Sequence, residues 1–146
     1  MKIEIGQGLE SIRFGMSERE IMDALGEPNR INYEELDGFA VHYYNGLFVK
    51  LKFYNANSQY TLKTIETFNK ETELFGQRVI GLPKHEIITL LNENGIPSDT
   101  FELHDYDDVD TIFVDLFYMT FEFMFDRLVS VQFSGDLPKL GRVPAN

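Results

Sequence analysis

The residues that could do chemistry are three histidines and 24 carboxylates, in a chain of 146 residues without cysteine. "HEIIT" at His85–Thr89 resembles half of a zinc-protease helix. Zinc needs a second imidazole one helical turn on, and Thr89 stands there instead. His85 therefore reads as a helix-surface residue beside a capping Glu86. "DYDDVD" at Asp105–Asp110 suggests a calcium loop, but the sixth position is Asp110 rather than glycine and the twelfth is Leu116 rather than glutamate. His42, His85 and His104 are too scattered to form a cluster. "GQG" at Gly6–Gly8 lacks the strand-turn-helix spacing of a dinucleotide site. Nothing singles out two acids as a glycosidase pair. The expectation is a non-enzymatic protein with no cofactor and no metal.

The charge is uneven. Net charge is −11; residues 1–70 hold 8 Lys/Arg against 10 Asp/Glu, and residues 71–146 hold 5 against 14. The segment Asp99–Asp126 has nine carboxylates and no Lys or Arg. Such a field repels nucleic acid and attracts basic partners; its plainer role is a solvated face that maintains solubility. The N-terminal "MKIEIGQGLE" has no apolar signal-peptide core, and no apolar run is long enough to span a membrane. With no cysteine to form disulfides, this points to a cytoplasmic protein.

The elements that must position these groups come in two similar sets. "FGMSEREIMDALGEPN" (Phe14–Asn29) and "IGLPKHEIITLLNENGIPS" (Ile80–Ser98) both run glycine, apolar residue, Glu-Ile, leucine, then glycine and proline. Ser17 with Glu20 makes a capping box, and Gly26 with Pro28 ends the helix. Pro83 starts the second helix, and Gly95 with Pro97 ends it. After each helix the apolar period switches to two, as in "VKLKFY", "DTIFVDLFYM", "FEFMFD" and "LVSVQF". Asp126-Arg127 reads as a tight hairpin and "NANSQYT" as a longer one. The expected fold class is α+β. Two tandem repeats, about 1–70 and 71–137, each supply a short helix and three to four antiparallel strands to one continuous sheet, with the helices on one face. A loose C-terminal tail completes a single domain, 1–146.

The glycine, (Met/Leu), (Ser/Pro), x, x, Glu-Ile unit with its trailing Gly-x-Pro resembles the repeat of the secreted β-lactamase inhibitor protein. It is also similar to the small lipoprotein of the outer-membrane barrel-assembly machinery. This sequence lacks their cysteines. The resemblance implies a scaffold whose open sheet face binds another protein, and carries over no contact residue.

If Ile112, Val114, Leu116 and Tyr118 face the helices, then Phe113, Asp115 and Phe117 face outward, joined by Glu122, Met124 and Gln132. From the first half the outward set is His42, Tyr44, Lys50, Lys52 and Tyr54. Aromatics mixed with charges are what interface centres use; the alternative is that a loop or the tail covers these rings. Glu102, Asp105, Asp107, Asp108 and Asp110 would rim the face. The expected partner is a basic protein, with no nucleic acid and no membrane. The function expected is an acidic immunity protein that neutralises a bacterial toxin through Glu102, Asp105, Asp107, Asp108, Asp110, Phe113, Asp115, Phe117, Glu122, Tyr44 and Tyr54. A small-ligand module, an assembly subunit and an enzyme stay open as alternatives.

Overall fold

A computed structural model describes residues 1–135; the expected loose tail lies outside the described residues. In chain order the elements are β1 (Ile3–Glu4), β2 (Gly8–Leu9), β3 (Ile12–Arg13), α1 (Glu18–Leu25), β4 (Arg30–Glu34), β5 (Phe39–Tyr44), β6 (Val49–Ala56), β7 (Gln59–Thr67), β8 (Glu73–Leu74), β9 (Gln77–Arg78), α2 (Lys84–Glu93), β10 (Phe101–Tyr106), β11 (Val109–Val114), β12 (Met119–Met124) and β13 (Arg127–Ser134). Eight strands form one antiparallel sheet in the order β10-β11-β12-β13-β7-β6-β5-β4.

Alternation decides which face of that sheet is dry. Leu51 and Phe53 of β6, Ile65 of β7, Phe133 of β13, Phe121 and Phe123 of β12 and Ile112 of β11 are fully or almost fully buried. They join Ile21 of α1 and Ile87, Leu90 and Leu91 of α2 in one core. Each helix is tied to a sheet strand by a reciprocal pair of backbone bonds. Gly15 donates to Leu62 O and Leu62 to Met16 O; Gly81 donates to Leu128 O and Leu128 to Leu82 O, all at 2.8–2.9 Å.

The expected α+β class of two helix-plus-sheet repeats is corrected by this arrangement. About half of the described residues are in strands and under a fifth in helices, so the fold is mostly β. The helices have 8 and 10 residues and bury one and three side chains, too little to form a layer that defines the class. The segments expected to be mere lead-ins build further sheets that differ from each other: three strands in β1-β2-β3 and two in β8-β9. They also join the two halves. Lys2 bridges in parallel to Glu73, and Glu73 N–H donates to Met1 O at 2.7 Å.

Local chemistry accounts for the ends of the elements. At α1 both capping-box bonds form: Glu20 N–H to Ser17 Oγ at 3.1 Å and Ser17 N–H to Glu20 Oε1 at 2.9 Å. Pro83 offers α2 no side-chain cap. Ser17→Ala is therefore expected to lower the unfolding free energy by about 1 kcal/mol, read from a shifted urea midpoint at unchanged slope. The hairpins differ from expectation. Asn57–Ser58 and Phe125–Asp126 are both two-residue turns with positive φ (54° and 65°; 52° and 62°). That is the twist a tight hairpin selects, and it shortens the first loop and moves the second by one residue.

Candidate partner-binding surface

The sheet face away from the helices carries one row that crosses all eight strands. Its successive register partners are Arg30, Tyr43, Lys50, Glu66, Gln132, Thr120, Phe113 and Glu102. It begins on a cation at the β4 edge and ends on a carboxylate at the β10 edge. Parallel rows repeat the polarity. Lys52 lies between Val41 and Thr64 in one half, and Glu122 lies opposite Thr111, itself opposite His104, in the other.

Aromatic rings hold the cations of the first half. The Arg30 guanidinium sits 4.1 Å from the Tyr43 ring centre, and Lys52 Nζ 4.1 Å from that of Phe39 and 5.4 Å from that of Tyr54. Lys50 Nζ lies 5.8 Å from the Tyr43 centroid and 3.6 Å from Glu66 Oε1. Between them is a half-open hollow of about 270 Å³, lined by Tyr43, Lys50, Lys52, Tyr54, Thr64 and Gln132 among others.

The acidic residues gather at one end of the sheet rather than around the whole face. Asp107 and Asp108 form the tip of the β10–β11 hairpin, with Asp105 and Asp110 paired directly behind it. The neighbouring β12–β13 tip is beside it, because Val109 pairs with Met124. Tyr106 and Phe125, the two most exposed aromatic rings among the described residues at 77% and 81%, stand at this end with Met124. Sequence reasoning did not select them. Their signal was position, since an aromatic within or next to a two-residue turn cannot reach the core.

Asp105 and Asp110 belong to the helix-side face by parity, not to the open one, and Lys84 of α2 reaches Asp110 Oδ2 at 3.5 Å. A hydrogen bond shared with Asp110 raises the Asp105 carboxyl above its ordinary value. That bond, then Lys84, holds Asp110 below its own. Two carboxylates opposed across a hairpin thus keep one proton more readily than isolated ones would.

Several expected contact residues lie elsewhere. Tyr44 is buried, its hydroxyl donating to Gly26 O at 2.6 Å, so it pins the end of α1; burial, then the nearby Glu27 charge, raises its phenol above the ordinary value. His42 is fully buried on the same face, its Nε2 2.7 Å from Glu18 Oε2, and that oxygen also accepts from Tyr33 OH at 3.0 Å. Val41 and Tyr43 are outward instead. Asp115–Phe117 forms a short 3-10 turn rather than strand, closed by Tyr118 at φ 50°. This resets the alternation, so Leu116 is exposed while Phe117 packs against the core. Asp115 lies at the opposite end of β11 from the acidic tip, roughly 20 Å away along the strand. Phe113, Glu122, Glu102, Lys50, Lys52 and Tyr54 do lie on the open face, and Tyr54 is partly exposed.

Among the described residues no group of three or more His, Asp or Glu is placed to hold a metal. His85 is exposed, with its Nε2 4.0 Å from Glu86 Oε2. No described helix is long and apolar enough to cross a membrane.

No protein-family model and no curated protein matches the chain. Among solved structures, the chain is similar in fold to an extracellular protein containing an SCP domain from Bacillus anthracis str. Ames. The TM-score is 0.52 at 16% identity, over 92% of this chain and 48% of that one. This chain thus spans about half the length of that protein. The expected cytoplasmic location is corrected on this finding. A similar fold occurs in an extracellular protein, so freedom from cysteine in this chain does not assign the compartment. What the comparison establishes for this chain is its fold: a large antiparallel sheet with two short helices, shared at low identity with that extracellular protein.

Proposed function

We propose that this protein is a non-enzymatic inhibitor, an acidic immunity protein that neutralises a basic bacterial toxin. The observation that carries the reading is the acidic end of the sheet, where Asp107 and Asp108 at the hairpin tip, with Asp105 and Asp110 behind them, share one end with the exposed rings of Tyr106 and Phe125. Carboxylates around exposed aromatics combine steering with contact area: the charge speeds encounter, and the rings supply burial once the partner is seated. The resemblance of the two helix stretches to the β-lactamase inhibitor protein supports the same reading, since that protein acts by binding. Glu102, Phe113 and Glu122 extend the contact onto the open face, while Asp115, Phe117 and Tyr44 play no part in it.

The test offers the protein a panel of cationic bacterial toxins, with growth rescue on co-expression and association kinetics in rising salt. Asp105→Lys with Asp107→Lys and Asp108→Lys is expected to slow association roughly 10- to 1000-fold at low salt and to abolish rescue. Its circular dichroism should be unchanged, since these side chains are solvated. Rescue that survives the triple reversal, or an association rate indifferent to salt in the unmodified protein, overturns the proposal.

A further inference from the structure

The acidic end leaves the cationic half of the open face without a role. Its hollow has the features of a small anion seat. Lys52 makes no ion pair among the described residues, yet its ammonium is held over Phe39 and beside Tyr54. A cation already ordered by rings loses little further freedom when a ligand arrives. Lys50 is shared with Glu66, so the two lysines and one carboxylate leave a surplus of one positive charge. That surplus matches a single carboxylate better than a doubly charged phosphate. The hydroxyls of Tyr43 and Tyr54 donate to no protein group among the described residues, unlike those of Tyr33 and Tyr44.

We propose that the hollow between Tyr43, Lys50, Lys52, Tyr54, Thr64 and Gln132 seats an acidic side chain of a protein partner. Its shape selects the occupant. At about 270 Å³ the hollow has room for an acidic side chain, at the small end of the range of ligand pockets. The hollow lies half-open on a broad sheet, so a free acid would stay largely in water, whereas a protein seated on the same face would cover it. The register row adds a distance. Lys50 and Glu102 are five strands apart, about 24 Å at ordinary strand spacing. The partner therefore presents an acidic residue and, at about that separation, a basic residue opposite Glu102, and the face reads its orientation as well as its charge. This inference uses the open face alone and holds whether or not the partner is a toxin.

The experiment is a 15N NMR titration of the full chain with a capped Gly-Gly-Glu-Gly-Gly peptide, the matching Lys peptide, and glutarate. The Glu peptide is expected to bind in the millimolar range, with saturable shifts confined to amides around Lys52, Thr64 and Gln132. Lys52→Glu should weaken it about tenfold or more, the worth of a charged hydrogen bond, while Lys84→Glu leaves it unchanged. Absence of saturable shifts, or identical binding by Lys52→Glu, overturns the site. Glutarate binding as tightly as the peptide overturns the protein-partner assignment and makes the hollow a small-acid site. Lys52 is remote from the acidic hairpin, so a negative result here leaves the toxin test intact, and the reverse.

Discussion

Phe121→Ala is expected to lower the unfolding free energy by about 3–5 kcal/mol, from the lost transfer energy of the ring and the cavity left behind. Phe121 is fully buried at the middle of β12, between Ile112 of β11 and Val131 of β13. Its neighbours are β-strand side chains fixed by the sheet hydrogen bonds around them, so the site collapses poorly and the upper part of that range applies. Against a total stability of about 5–15 kcal/mol, the variant loses a large fraction of its folding free energy. Phe113→Ala is the matched control. Phe113 lies one residue along from Ile112, on the open face and partly exposed, and its loss should cost about 1 kcal/mol or less. Urea unfolding of both variants, with the slope held constant, reads the difference. Equal losses at the two positions would mean that the open face is not open.

Glu18→Ala is expected to cost about 2–3 kcal/mol, much more than an exposed helix residue should. Glu18 begins α1, where its charge favours the helix N-terminus, and a single oxygen accepts from both His42 and Tyr33. His42 is fully buried, its ring 4.3 Å from that of Phe53, and its Nδ1 has no partner among the described residues. Removing Glu18 leaves the whole imidazole without one. The loss is then the desolvation penalty of an orphaned buried group, not merely one hydrogen bond. Glu18→Gln keeps an acceptor oxygen in the same place and should recover most of the loss at neutral pH. A denaturation series over the unmodified protein, Gln and Ala variants tests the order. If Gln is as damaging as Ala, charge and not hydrogen bonding holds α1 to β5.

His42 also shows where sequence reading stops. "VKLKFY" alternates lysine with apolar residues, so the outward direction of Lys50 and Lys52 follows from the letters alone. "FAVHYY" has apolar or aromatic residues on both parities. Its alternate sets, Ala40-His42-Tyr44 and Phe39-Val41-Tyr43, fit a core equally well. The register decides between them: His42 pairs with Leu51, and Tyr43 with Lys50. The "VDLFYM" segment fails for a different reason, because every residue in it suits a strand. Nothing local announces the 3-10 turn at Asp115–Phe117 that reverses the chain between β11 and β12. The expected outward direction of Asp115 and Phe117 rested on unbroken alternation, and the turn breaks it.

By itself the sequence determined the capping box at Ser17 and Glu20, the helix stops at Gly26 and Gly95, the strands with clean alternation, and the concentration of carboxylates between Asp99 and Asp126. These are consequences of interactions within a few residues, which the order of the chain contains. The tertiary structure alone decided that the fold is mostly β, that the two lead-in segments pair with each other, and that the acids gather at one end while the lysines occupy the opposite half of the open face. Those outcomes depend on which strands become neighbours. In this sheet the central join is β13 beside β7, whose paired residues are 64 to 70 apart in sequence, and it is chosen by the fit of one core.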